Sequence, residues 1–173
     1  MKKWIALCLA VTLIFSASAC RRQKQATPLQ GSMVENVNRI MEQNPAEFMG
    51  AVIPVDLRDT SEEGLWALKS YTGLDTADKI TDVAVYEPMT GAQAFSLVLL
   101  RVVDAKDAEN IARQMKENID PRKWICVGAD QVMAAGYADV VMFIMLNSEM
   151  GKTAQSYVDA FANLCGSQPD FTI

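Results

Sequence analysis

Two stretches of this chain, residues 92–103 (AQAFSLVLLRVV) and Val140–Leu146 (VVMFIML), are apolar at both parities. In the first, Phe95, Leu97 and Leu99 fall on one side of an extended strand, and Ala94, Val98, Leu100 and Val102 on the other. Successive side chains of a strand point to opposite faces, so a continuous apolar run needs cover on both. A sheet built from such strands cannot leave a bare face in water.

Each run belongs to a strand–strand–helix unit. Residues 81–87 read as a strand with Val83 and Val85 on one face, residues 88–91 as a turn, and residues 92–103 as the long strand. Asp104 then caps a helix whose apolar stripe is Ala108, Ile111, Ala112, Met115 and Ile119, ended by Asp120-Pro121. The order recurs with a modest strand over residues 130–135, a turn at Gly136 and the Val140–Leu146 strand. A helix capped by Ser148 follows, with Met150, Ala154, Tyr157, Val158, Phe161 and Cys165 on one stripe. The units lie about 45 residues apart and share too few identities to form a sequence repeat.

Upstream, Ser32 caps a helix carrying Val34, Val37, Ile40 and Met41, stopped by Asn44-Pro45. Thr60-Ser61-Glu62-Glu63 has capping-box spacing and opens a helix through Tyr71 that Gly73 ends. Trp66 on that helix reads as a core residue, with a ligand platform as the alternative. Residues 46–59 are ambiguous, and Pro54 argues against a central strand there. The expected fold is α+β, a two-layer sandwich with a four-stranded, mainly antiparallel sheet from the two strand–strand–helix units plus N-terminal helices. The two unit helices would cover one face, and residues 32–71, or a partner, the other.

The N-terminus carries an address. Met1-Lys2-Lys3, the apolar residues 4–15 and Ser16-Ala17-Ser18-Ala19-Cys20 match the regions of a bacterial lipoprotein signal peptide. As a helix the apolar run spans ~18 Å, short of the ~30 Å hydrocarbon core of a bilayer. A cysteine directly after small residues can carry a diacylglycerol on its thiol and a further acyl chain on its freed amine, and such multiple chains anchor firmly. The expected division is residues 1–19 signal peptide, 20–31 flexible tether and 32–173 a single α+β domain. A plain secreted chain cut near the same place is the alternative. Anchoring through Cys20 would hold the domain at the outer face of the cytoplasmic membrane, with Arg21, Arg22 and Lys24 near anionic headgroups. Residues 31–173 carry 11 Lys+Arg against 21 Asp+Glu, an acidic excess that argues against nucleic acid as partner.

There is no histidine. That excludes Ser-His-Asp and Cys-His catalysis and any His-ligated zinc or haem. Cys126 and Cys165 remain once Cys8 leaves with the signal and Cys20 is acylated. They could form a disulfide outside the cytoplasm, worth ~3–4 kcal/mol by loop closure, or stay as buried free thiols. The pairs Asp56/Asp59, Glu62/Glu63 and Asp75/Asp78 lack EF-hand spacing and read as caps or solvated surface. Met133, Met142, Met145 and Met150 read as core rather than as a soft-metal site. Trp124 and Tyr137 flank the second unit near turns, where exposed rings could stack on a sugar. No catalytic residue, metal ligand or cofactor is implied.

Tyr71-Thr72-Gly73-Leu74-Asp75, Pro88-Met89, and Gln93-Ala94-Phe95-Ser96-Leu97 opening an apolar strand resemble a family of small Gram-positive, chiefly clostridial, lipoproteins. Gly136-Tyr137 leading into Val140-Val141-Met142-Phe143 fits the same pattern, and the resemblance spans about residues 64–164. Members join a lipoprotein signal to one domain of unknown function, so the resemblance implies location and architecture and transfers no catalytic residue. The expected role is a non-enzymatic binding or accessory lipoprotein that holds an envelope protein or cell-wall component near the bilayer. The alternative is a small-ligand sensor or solute-binding module with a pocket lined by Trp66, Tyr71 or Trp124. An uncovered apolar sheet face would favour the first, and a pocket with a few polar groups the second.

Overall fold

Local signals set most element ends. A computed structural model of the chain describes residues 28–173. Its elements run α1 (Met33–Gln43), β1 (Gly50–Pro54), α2 (Glu62–Thr72), β2 (Ile80–Pro88), β3 (Phe95–Val102), α3 (Ala108–Asn118), β4 (Gln131–Tyr137), β5 (Val140–Leu146), α4 (Ala154–Cys165) and β6 (Phe171–Thr172). Ser32 caps α1 in a full capping box with Glu35. Ser61 caps α2 by accepting from the Gly64 amide, so the third helical position is a glycine and the box expected from Thr60 and Glu63 does not form. Gly73 closes α2 in the left-handed conformation, at φ 73°.

The α+β class and the antiparallel sheet agree with the sequence reading, but the sheet has six strands, not four. Their order is β1-β2-β3-β5-β4-β6, and every neighbouring pair is antiparallel. The two doubly apolar strands, β3 and β5, are central partners, with Leu97 opposite Ile144 and Val98 opposite Phe143. All four residues are fully buried. β1 lies on one edge, where Pro54 is tolerated. β6, at the other edge, is only two residues long and carries no pattern of its own.

Two expected layers become three. α1 and α4 pack on one face with Leu97, Leu99, Met142 and Ile144, while α2 and α3 pack on the other with Val98, Leu100, Val141 and Phe143. The unit helices therefore lie on opposite faces, contrary to expectation, and handedness is the reason. The β3–α3–β4 and β5–α4–β6 connections each step over one strand toward the same sheet edge, starting from antiparallel strands. Two crossovers of one hand can do this only with their helices on opposite faces, and parallel crossovers are almost always right-handed. Without β6, α4 is not a crossover at all, which is how a four-stranded reading misplaces it. Each face is filled by one N-terminal helix and one unit helix, so both are covered from within the chain.

Gly136 marks no turn. It lies inside β4, where an added Cβ would overlap the Phe171 ring, and the turn falls instead at Ala138, with φ 51°. The expected tether also ends early. Leu29 is buried in the first core, the one on the α1 and α4 face, and the Arg101 guanidinium donates to the Leu29 and Gly31 carbonyls at 2.6 and 3.2 Å. Arg101 also pairs with Asp139 at 2.6 Å, so residues 29–31 belong to the domain. The chain thus enters at the end of the sheet marked by Arg101, Tyr137 and Asp139. Among the described residues no helix is long and apolar enough to cross a membrane. The expected signal peptide, with Cys8, and the expected lipidation site Cys20 lie outside the described residues.

Candidate functional site

Val83, Val85 and Glu87 share one parity of β2, so the strand that buries two valines carries a carboxylate toward the same face. Lys123, from the connection between α3 and β4, meets it with Nζ 2.5 Å from Oε1. The side chains of Lys123 and Glu87 are only 12% and 17% exposed. The connection is held in place by the Ile125 amide on the Gly91 carbonyl and the Ala129 amide on the Pro121 carbonyl. Lys123 Nζ also donates to the Ser70 carbonyl at 3.0 Å and lies 5.2 Å from the Tyr71 ring centre and 5.4 Å from that of Trp124. Both distances are within cation–π range. Burial pushes the Lys123 ammonium below its ordinary range, while the Glu87 carboxylate pulls it back up. Burial, then the charge of Glu87, raises the Tyr71 phenol.

Around this pair opens a cleft of about 500 Å³, walled by Trp66, Lys69, Ser70, Tyr71, Glu87, Asn118, Asp120, Lys123 and Trp124. The three aromatic residues singled out from sequence therefore meet in one place. Trp66 is 68% exposed, which overturns its core reading. α2 buries Leu68 and Thr72, and position 66, at about 100° per residue, projects well away from that stripe. Trp124 is half-buried, and its Nε1 has no hydrogen-bond partner in the structure. A desolvated donor left so costs about 1–3 kcal/mol. Tyr137, the other candidate ring, is buried in the first core at the opposite end of the sheet.

The structure does not bring Cys126 and Cys165 together. Both are free thiols, Cys126 exposed and Cys165 half-buried. α4 starts beside Gln131, whose side chain accepts from the Ala154 amide, so its last residue, Cys165, lies at the far end of β4 from Cys126. A strand of that length separates the two ends by roughly 20 Å, whereas a disulfide needs Cα atoms within about 7 Å. Of the two alternatives open from sequence, the structure has the free thiols and not the bridge, although Cys126 is exposed rather than buried.

The remaining candidates keep local roles. Asp56 turns onto Arg58, Asp59 accepts from the Ser61 amide, and no cluster of three metal-binding side chains occurs among the described residues. Met142 and Met145 are fully buried, with Met133 and Met150 packed at the margin of the first core. A smaller recess of about 390 Å³ opens between Phe48, Gln93, Asn147 and Met150, and of its lining only Met150 was weighed from sequence as a site residue, as one of four candidate metal ligands. Glu87 and Lys123 were not singled out from sequence. The signal for Glu87 was present in the parity of Val83 and Val85; the signal for Lys123 was not, because its burial depends on a loop. No family model, curated protein or solved structure matches this chain.

Proposed function

We propose that this chain is a non-enzymatic binding protein, lipid-anchored through Cys20 at the outer face of the cytoplasmic membrane, and that its cleft takes a small ligand. In this reading it is a lipoprotein of the clostridial type whose sequence it resembles. One observation carries the choice of site: Trp66, Tyr71 and Trp124 converge on one cleft around the Lys123–Glu87 pair. Concave, aromatic-lined recesses with a few fixed polar groups are the usual form of ligand sites. With both sheet faces covered from within, the accessory reading loses the bare face on which it depended. Glu87 and Asp120 both line the cleft, but Glu87 is engaged by Lys123, so the pair is not set out for acid–base work.

The point where the chain enters supports the same reading. It is clamped at the Arg101–Asp139 end, while Glu87 lies toward the other end of the sheet, so an anchored domain would direct the cleft away from the bilayer. A protein partner keeps one supporting feature. Met49, Met89 and Ile125 are 79%, 68% and 74% exposed, and their backbones are tied to each other or to Gly91 near the cleft end. A thermal-shift screen of the purified protein against envelope sugars, peptides and metabolites, with Trp66→Ala in parallel, tests the cleft. A stabilising hit lost in the variant supports it. A hit unaffected by the variant, or a single stoichiometric protein captured from solubilised envelope by both proteins, moves the site elsewhere. For the anchor, Cys20→Ala should release the protein from the membrane fraction; a variant that stays there refutes lipidation.

A further inference from the structure

We infer that the ligand of this cleft is a neutral oligosaccharide of pyranose units, an inference that rests on the cleft being the binding site. The charges in the wall cancel: Lys69 and Lys123 are balanced by Glu87 and Asp120, and both cations are engaged, Lys69 by Asp75 and Lys123 by Glu87. An anionic ligand would find no free cation in the wall. A cationic one would find the space over Tyr71 and Trp124 already held by Lys123. What the wall does offer is a flat indole at Trp66, 68% exposed, together with the planar polar side chains of Asn118 and Asp120. An aromatic face in water next to planar hydrogen-bonding groups suits a ring with an apolar C–H face and a rim of hydroxyls. The size agrees, since about 500 Å³ holds two or three sugar rings within the range of ordinary ligand pockets. The cleft also lies toward the end of the sheet away from the chain's point of entry, where an anchored protein would meet wall glycan rather than lipid headgroups.

The test is calorimetric titration of the detergent-solubilised full-length protein with a β-1,4-linked N-acetylglucosamine tetramer, a glucose tetramer, and the cationic de-N-acetylated tetramer. The expected result is binding of at least one neutral tetramer, weakened about tenfold or more by Trp66→Ala without loss of the far-ultraviolet spectrum. The cationic analogue should bind more weakly. If both neutral tetramers are silent while a peptide or charged metabolite binds in a Trp66-dependent way, the sugar assignment is overturned and the cleft stands. If binding of every probe survives Trp66→Ala, or if no probe binds, both fall.

Discussion

The two ends of the sheet each carry a sheltered ion pair, and the pairs are used differently. At one end Arg101 spends its donors on Asp139 and on the Leu29 and Gly31 carbonyls, closing the domain where the chain enters. At the other, Lys123 and Glu87 sit in the wall of an open cleft, under two aromatic rings and beside a third. An ion pair gains little over an apolar packing of the same shape, so its presence is weak evidence of a purely stabilising role. The Arg101 pair is explained by the backbone it ties down. The Lys123 pair ties down one carbonyl, of Ser70, and otherwise forms part of the cleft wall under the aromatic rings.

The largest effect that would break this comparison comes from removing one partner. Glu87→Ala leaves Lys123 charged and sheltered, and should cost about 3 kcal/mol in urea unfolding. Replacing both Lys123 and Glu87 by Met and Leu should recover most of that loss. Arg101→Met should cost about 2 kcal/mol through the stranded Asp139 and two carbonyls. It should also open a proteolytic site near Leu29 and leave ligand affinity unchanged. Gly136→Ala drives a methyl into the Phe171 ring and should cost about 1–3 kcal/mol, seen as faster amide exchange in β6. Trp66→Ala lies at the small end, with a stability change within about 0.5 kcal/mol, because the ring is largely in water.

The cysteines sharpen the same contrast without changing stability. Burial, with Asp170 adding to it, pushes the Cys165 thiol up to about 12, so almost none of it is thiolate at pH 8. Iodoacetamide at that pH should label exposed Cys126 at the cleft end and spare Cys165 at the clamp end. Equal labelling of both would mean that α4 opens at its C-terminus.

Most of the described fold was legible where side chains obey a period. The parity of 92–103 and Val140–Leu146 foretold two fully covered central strands, and the stripe Ala108–Ile111–Ala112–Met115 foretold the buried side of α3. The layer count was not legible, because it hangs on a two-residue strand whose pairing reverses the side to which α4 must cross. The aromatic members of the cleft were legible as types rather than as a cluster. Trp66, Tyr71 and Trp124 come from an exposed helix position, a helix end and a loop, and only the tertiary fold brings them together. Glu87 could have been found, since the residue two positions beyond Val85 on a burying parity is expected to be apolar.

The most direct measurement is hydrogen exchange of the full-length protein with and without the N-acetylglucosamine tetramer at saturation. Protection confined to the end of α2 around Tyr71, to Asn118 and to the Asp120–Trp124 connection is the expected result. Protection centred instead on the Phe48 and Met150 recess would contradict the assignment of the aromatic cleft as the ligand site.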